Sequence, residues 1–167
     1  MTSYAGSKGI CLTPDGSLAR GELSMSVTNS VVGITNPTDW FPLDNAAGTA
    51  PSTEHNHYFS VPSNTRLRYD GIGSAHVHIA SSVCFTKEPP PGEVLLSILK
   101  NGVSAHSSEL CITAGDPGRV ESTALHSALN VVNGDYLEIG FKYPDWLEGT
   151  VNVTVHHANL FAIAVPA

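Results

Sequence analysis

Charge is scarce in this sequence, at 14% of residues, and what there is leans acidic: eight Lys plus Arg against fifteen Asp plus Glu give a formal net charge of −7. The basic residues are scattered rather than gathered into a stripe, so a nucleic-acid backbone would be repelled, and nucleic-acid binding is excluded as a function class. Cysteine is scarce too. Cys11, Cys84 and Cys111 are an odd number with neither CxxC nor Cys/His finger spacing, which argues against a disulfide framework or a zinc finger and predicts buried or idle thiols. No run reaches the roughly 18 apolar residues of a membrane span, and MTSYAGSKGICLTPDGSLARG at the N-terminus has no apolar signal-peptide core. The expectation is a soluble chain made in the cytoplasm, with no membrane partner. Asn152-Val153-Thr154 fits the glycosylation sequon, but inside an apparent strand of a chain read as unsecreted it is fortuitous.

Helical periodicity is the other thing missing. No segment carries apolar residues at helical spacing over three turns. What is present is turn chemistry and alternation: 15 Gly and 11 Pro in 167 residues, with 41% hydrophobic residues, suit one globular domain with many turns. Residues 1–21 are Gly- and Ser-rich without a sustained period and read as a flexible N-terminal arm, ordered only by contact; residues 22–167 read as the folded domain.

Within that domain the period is two. Leu23, Met25 and Val27 alternate with Ser24, Ser26 and Thr28, and Val31, Val32 and Ile34 form a second β-prone patch, which predicts two short strands. A Pro/Gly/Asn-rich excursion over 36–56 carries Trp40 and Phe41, expected to pin a long connection onto the core. HYFSV (57–61), RLRYDG (66–71) and the long run AHVHIASSVCFT (75–86) follow. In that run Val77, Ile79, Val83 and Phe85 share one parity, so His76, His78, Ala80, Ser82 and Cys84 take the other face. Pro89 to Pro91 stop the strand; EVLLSILKNGV turns at Asn101-Gly102, ELCITA (109–114) and GDPG (115–118) continue the meander, and RVESTALHSALNVV (119–132) turns at Asn133-Gly134 into DYLEIGFKY. The closing TVNVTVHHANLFAIAV (150–165) ends almost wholly apolar, as a central, covered strand would. Eight to ten strand candidates at short intervals imply an all-β fold, a two-sheet jelly-roll sandwich.

The order of segments, RLRYDG before a long alternating strand, then LLSILKNG, LNVVNGDYLEIGF and a closing VNVTVHHANLFAI, resembles the C1q/TNF-like trimeric jelly rolls over about residues 22–165. The resemblance is to the versions found in tailed-phage virion proteins in particular. It implies a ten-strand sandwich packed around a threefold axis, with the sheet of the first, third, sixth and eighth main strands facing that axis. The collagen-like Gly-X-Y stalk of C1q proteins and the membrane anchor of TNF ligands are absent from this sequence.

Histidine is the sharpest chemical signal, eight in 167, with His76-Val77-His78 on one strand face and His156-His157 near the end. Strand positions i and i+2 can converge on one metal, which makes His76 and His78 weak candidate ligands. Cupins carry such a pair, but with a carboxylate a few residues on; here the next acid is Glu88, beyond the strand, and no third ligand is identifiable. No GxSxG is present, and GDPG leads into no helix that could cradle a phosphate. The expectation is therefore no catalysis, no cofactor and no resident metal.

Small side chains at Ala80, Ser82 and Cys84 beside His76 and His78 would let three identical strands approach a common axis, so these five residues are the expected trimer interface. Trp40, Trp146, Tyr58 and Tyr143 could stack on a sugar if loops expose them, which keeps a glycan in view as a ligand. The role expected is a phage virion structural protein on the capsid surface: a homotrimeric decoration or cement protein, bound to the major capsid protein through the N-terminal arm. The alternatives are a trimeric tail-fibre tip that binds a host surface glycan and, third, a small metal-dependent jelly-roll enzyme.

Overall fold

The computed structural model describes residues 19–43, 56–63, 65–88, 92–116, 118–144 and 149–166. The expected arm lies outside the described residues apart from Ala19 to Gly21, and so do Cys11 and Trp146. Among the described residues eleven strands follow one another: β1 (Arg20–Ile34), β2 (Phe41–Pro42), β3 (Phe59–Ser63), β4 (Arg66–Tyr69), β5 (Ser74–Glu88), β6 (Gly92–Lys100), β7 (Val103–Ser104), β8 (Leu110–Ala114), β9 (Glu121–Val132), β10 (Tyr136–Lys142) and β11 (Val151–Pro166). A 3-10 turn, His106–Ser108, sits between β7 and β8.

The long strands make one sheet in the order β1-β11-β5-β9, and the short ones make the other, β3-β4-β10-β6-β7, with β2 on β10 and β8 on β6. All pairings are antiparallel. The closing strand β11 is central, as its apolar sequence predicts. The core lies between the layers. Val77, Ile79, Val83 and Phe85 of β5 are buried against Leu96 and Ile98 of β6 and Leu137, Ile139 and Phe141 of β10 in a single cluster. Phe85 meets Phe141 edge to face, ring centroids 6.1 Å apart, the arrangement that aromatic quadrupoles favour.

Register shifts in β1 and β11 decide which of their side chains face that core. The expected two strands at 23–34 are one continuous strand, β1, whose pairing with β11 shifts between Ser26 and Ser30. Asn29 takes a left-handed φ of 52° there, a conformation that Asn tolerates better than most residues. Before the shift Leu23 and Met25 are buried; after it Val32 and Ile34 are, so the inward parity changes from odd to even. In β11 the register with β5 shifts between Val155 and His157. Val151, Val153 and Val155 point inward on one side of the shift, and Ala158, Leu160, Ala162 and Ala164 on the other. Phe161, Ile163 and Val165 are thereby turned to the outer face, where they are half-buried.

The seven-stranded sheet is covered on its far side as well. Ser97 and Ser104 share a hydrogen bond of 2.8 Å, Ser97 and Ser108 one of 3.0 Å, and Ser108 Oγ accepts from the Ile98 amide at 2.9 Å. These buried hydroxyls are mutually satisfied and dock the 3-10 turn onto β6. Glu138, 1% exposed, accepts from Arg66 Nε at 3.0 Å, and the Arg66 guanidinium lies 4.4 Å over the Tyr136 ring.

Candidate functional site: the outer face of the four-stranded sheet

Every residue expected at the interface lies on the outer face of β5. Parity puts His76, His78, Ala80, Ser82 and Cys84 there together, all half-buried or exposed, above a fully buried inner row. Register then adds their neighbours. On the β11 side His76 stands opposite Val165, His78 opposite Ile163, Ala80 opposite Phe161, Ser82 opposite Asn159 and Cys84 opposite His157. On the β9 side the same five meet Asn130, Ala128, His126, Ala124 and Ser122. The face is thus an apolar row, Phe161, Ile163 and Val165, beside a strip of Ala80, Ala124 and Ala128, ringed by imidazoles.

The polar groups of this face are held in place. His76 Nδ1 lies 2.9 Å from Asn130 Oδ1, Asn159 Oδ1 accepts from the Ser82 amide at 2.7 Å, and Cys84 Sγ is 3.3 Å from Ser122 Oγ. At the bulge the His156 ring bridges Asn29 Oδ1 at 2.8 Å and Thr86 Oγ1 at 3.2 Å. The His76 and His78 rings meet edge to face with centroids 5.5 Å apart. Among the described residues no group of three or more His, Cys, Asp or Glu is gathered closely enough to hold a metal within one chain.

Sequence reasoning missed half of this surface. The outward turn of Phe161, Ile163 and Val165 depends on the bulge at His156-His157, and the pairing of His126 with Ala80 depends on which strand adjoins β5. The doubled histidine next to a break in alternation was the available signal.

Other candidates resolve differently. Tyr143, expected as a sugar-stacking ring, is buried and donates its hydroxyl to the Gly149 carbonyl at 3.0 Å, so it presents no face to a ligand. Cys111 is exposed rather than buried because β8 is an outer strand; partial burial, then the charge and hydrogen bond of Glu93, push its thiol above the ordinary range and keep it protonated. Ser104, Glu109 and His106 form a chain that superficially resembles a catalytic triad. Its order is different: the Ser104 hydroxyl donates to Glu109 Oε1 at 2.7 Å, and His106 Nδ1 contacts that same oxygen at 2.7 Å, so the carboxylate, not the imidazole, holds the hydroxyl.

No family model matches the chain, and no curated protein matches it. Solved structures do. The crystal structure of murine APRIL at pH 5.0 superposes with a TM-score of 0.52 at 9% identity, covering 87% of this chain and 99% of that one. The structure of Eiger TNF from S. frugiperda gives 0.51, also at 9% identity, covering 90% of this chain and 94% of that one. The fold is a C1q/TNF-like jelly roll. At such identity the likeness establishes the sandwich and its strand order, and the C1q/TNF-like fold here carries its own residues on the outer face of the β1-β11-β5-β9 sheet.

Proposed function

We propose that this chain is a structural subunit of a virion, assembling as a homotrimer through the outer face of the β1-β11-β5-β9 sheet and decorating a capsid surface. The observation that carries self-association is the outward row Phe161, Ile163 and Val165 beside the small side chains of Ala80, Ala124 and Ala128. Large apolar groups turned away from a well-filled core gain by being covered, and alanines beside them let a second backbone come close. A residue near a threefold axis occurs three times, which suits a face whose central positions are small. The virion assignment rests on the order of segments, which resembles tailed-phage virion proteins. Capsid attachment is assigned to residues 1–21, three copies of which would multiply a weak contact. On this reading the protein contributes binding area, with no catalysis.

Light scattering of the purified full chain at micromolar concentration tests the assembly; a monomer throughout would sink it. Deleting residues 1–21 tests the attachment. The expected result is an intact trimer that no longer binds capsids. If the truncated chain binds them as well as the full chain, or if particle imaging finds the protein only at the tail, the decoration role gives way to a fibre tip.

A further inference from the structure

We propose that His76 and His78 form a two-imidazole seat for a divalent transition-metal ion of the zinc class, and that the bound ion bridges copies of the chain. The bridging half rests on self-association through this face.

Three observations carry it. His76 and His78 are i and i+2 on the straight outer face of β5, so both side chains leave the same side of the strand. Their ring centroids are 5.5 Å apart. With zinc–nitrogen bonds of about 2.0–2.1 Å, two imidazoles at the tetrahedral angle around one ion have centroids about 5.2 Å apart. The centroid spacing is therefore close to that of two imidazoles on a shared ion.

The second observation is the bond at the back of the first ring. A carbonyl oxygen only accepts, so Asn130 Oδ1, 2.9 Å from His76 Nδ1, places the proton on Nδ1 and leaves the lone pair on Nε2. Ligating histidines are oriented in this way, with the other ring N–H given to an oxygen that fixes tautomer and direction. Asn130 is the residue directly opposite His76 on β9, so the sheet register itself supplies this support.

The third is the incompleteness of the site. Among the described residues no third His, Cys, Asp or Glu of the same chain joins the pair. Two imidazoles leave open positions on a four-coordinate ion, and they open toward the face on which Phe161, Ile163 and Val165 also look outward. Ligands from a second copy fill them: the diagonal imidazole, His126, faces the same way and is offered by each copy.

The probe is zinc chloride added to the full chain after exhaustive treatment with a chelator. Calorimetry should show zinc uptake that His76→Ala/His78→Ala abolishes, whereas Asn130→Ala should weaken it by roughly tenfold or more. His106→Ala, whose ring is held by Glu109 in the 3-10 turn, should leave it unchanged. Light scattering over a dilution series should show zinc, at about ten times its dissociation constant, favouring the assembled form by roughly tenfold per ion bound. Uptake that survives the double substitution, or no uptake at all, overturns the seat. Zinc bound by the two histidines without any shift in assembly overturns the bridge. A trimer that persists in chelator and ignores zinc defeats this inference alone; a monomer with and without zinc defeats the assembly reading with it.

Discussion

Asn101 Nδ2 donates to Asp135 Oδ1 at 2.7 Å, a bond across 34 residues that ties the β6–β7 turn to the β9–β10 turn. The tie is reciprocal, since Asn101 Oδ1 accepts from the Tyr136 amide at 3.0 Å. Asp135 also accepts from the Val132 amide at 3.0 Å and pairs with Lys100 Nζ at 3.1 Å. Burial pushes the Asp135 carboxyl upward, but the bonds from Asn101 and Val132 and the charge of Lys100 outweigh it and hold the group below its ordinary value. Glu109 is likewise held low, by the Ser104 hydroxyl first, against the effect of burial. A carboxylate with a depressed folded value contributes stability that is present above the unfolded value, about 4, and is lost as pH falls through the folded one. Thermal melts of the wild type should therefore lose stability in that acid range. Asp135→Asn should cost roughly 1–3 kcal/mol at neutral pH and flatten the acid limb; an unchanged limb would place the titration elsewhere.

Gly140 of β10 is required by a close approach. A Cβ there would lie 2.5 Å from Leu99 Cδ1 and 2.7 Å from Leu99 Cγ, with Leu99 itself fully buried. Gly140→Ala should destabilise by roughly 1–3 kcal/mol through overpacking, measured by urea unfolding. Adding Leu99→Ala should recover part of that loss, a non-additivity expected only if the two side chains collide.

The assembly face makes a different demand. Ala80 lies between Phe161 and His126, directed outward, so Ala80→Trp adds bulk without entering the core. Ala80→Trp and Ser82→Trp should each prevent trimer formation while the far-UV spectrum and melting of the sandwich stay near wild type. A wild-type trimer from either variant would move the interface to another face.

Much of the fold was legible. The inward parity of Val77, Ile79, Val83 and Phe85, the Asn101-Gly102 turn with both residues at positive φ, and the central position of the closing strand all follow from period-two patterning and turn chemistry. The bulges were not legible, because alternation is read on the assumption of an unbroken register and one extra residue inverts every side chain beyond it. That inversion makes β11 offer alanines to the core and Phe161, Ile163 and Val165 to the outside. The five β5 residues expected to share a face do so, while His126 and the apolar row joined them only through strand order, which pairing between residues far apart in sequence decides.

The last prediction concerns charge on that face. His76 and His78 on β5, His126 on β9, and His156 and His157 on β11 all lie on it, together with the fixed charges of Arg20 and Glu22 on β1 and of Glu88 at the end of β5, with Lys100 reaching the Asn130 carbonyl at the edge. Each copy brings the same face to the proposed interface, so a fixed charge placed in the histidine row meets its own symmetry mates. His78→Lys should therefore weaken assembly, and more strongly at low ionic strength, because like charges held close repel and salt screens them. The measurement is the trimer–monomer equilibrium by sedimentation in chelator, so that metal binding does not compete. His78→Gln, which adds no charge, should assemble as the wild type does. Equal trimer stability of His78→Lys and the wild type at low salt would show that these positions stay apart in the assembly.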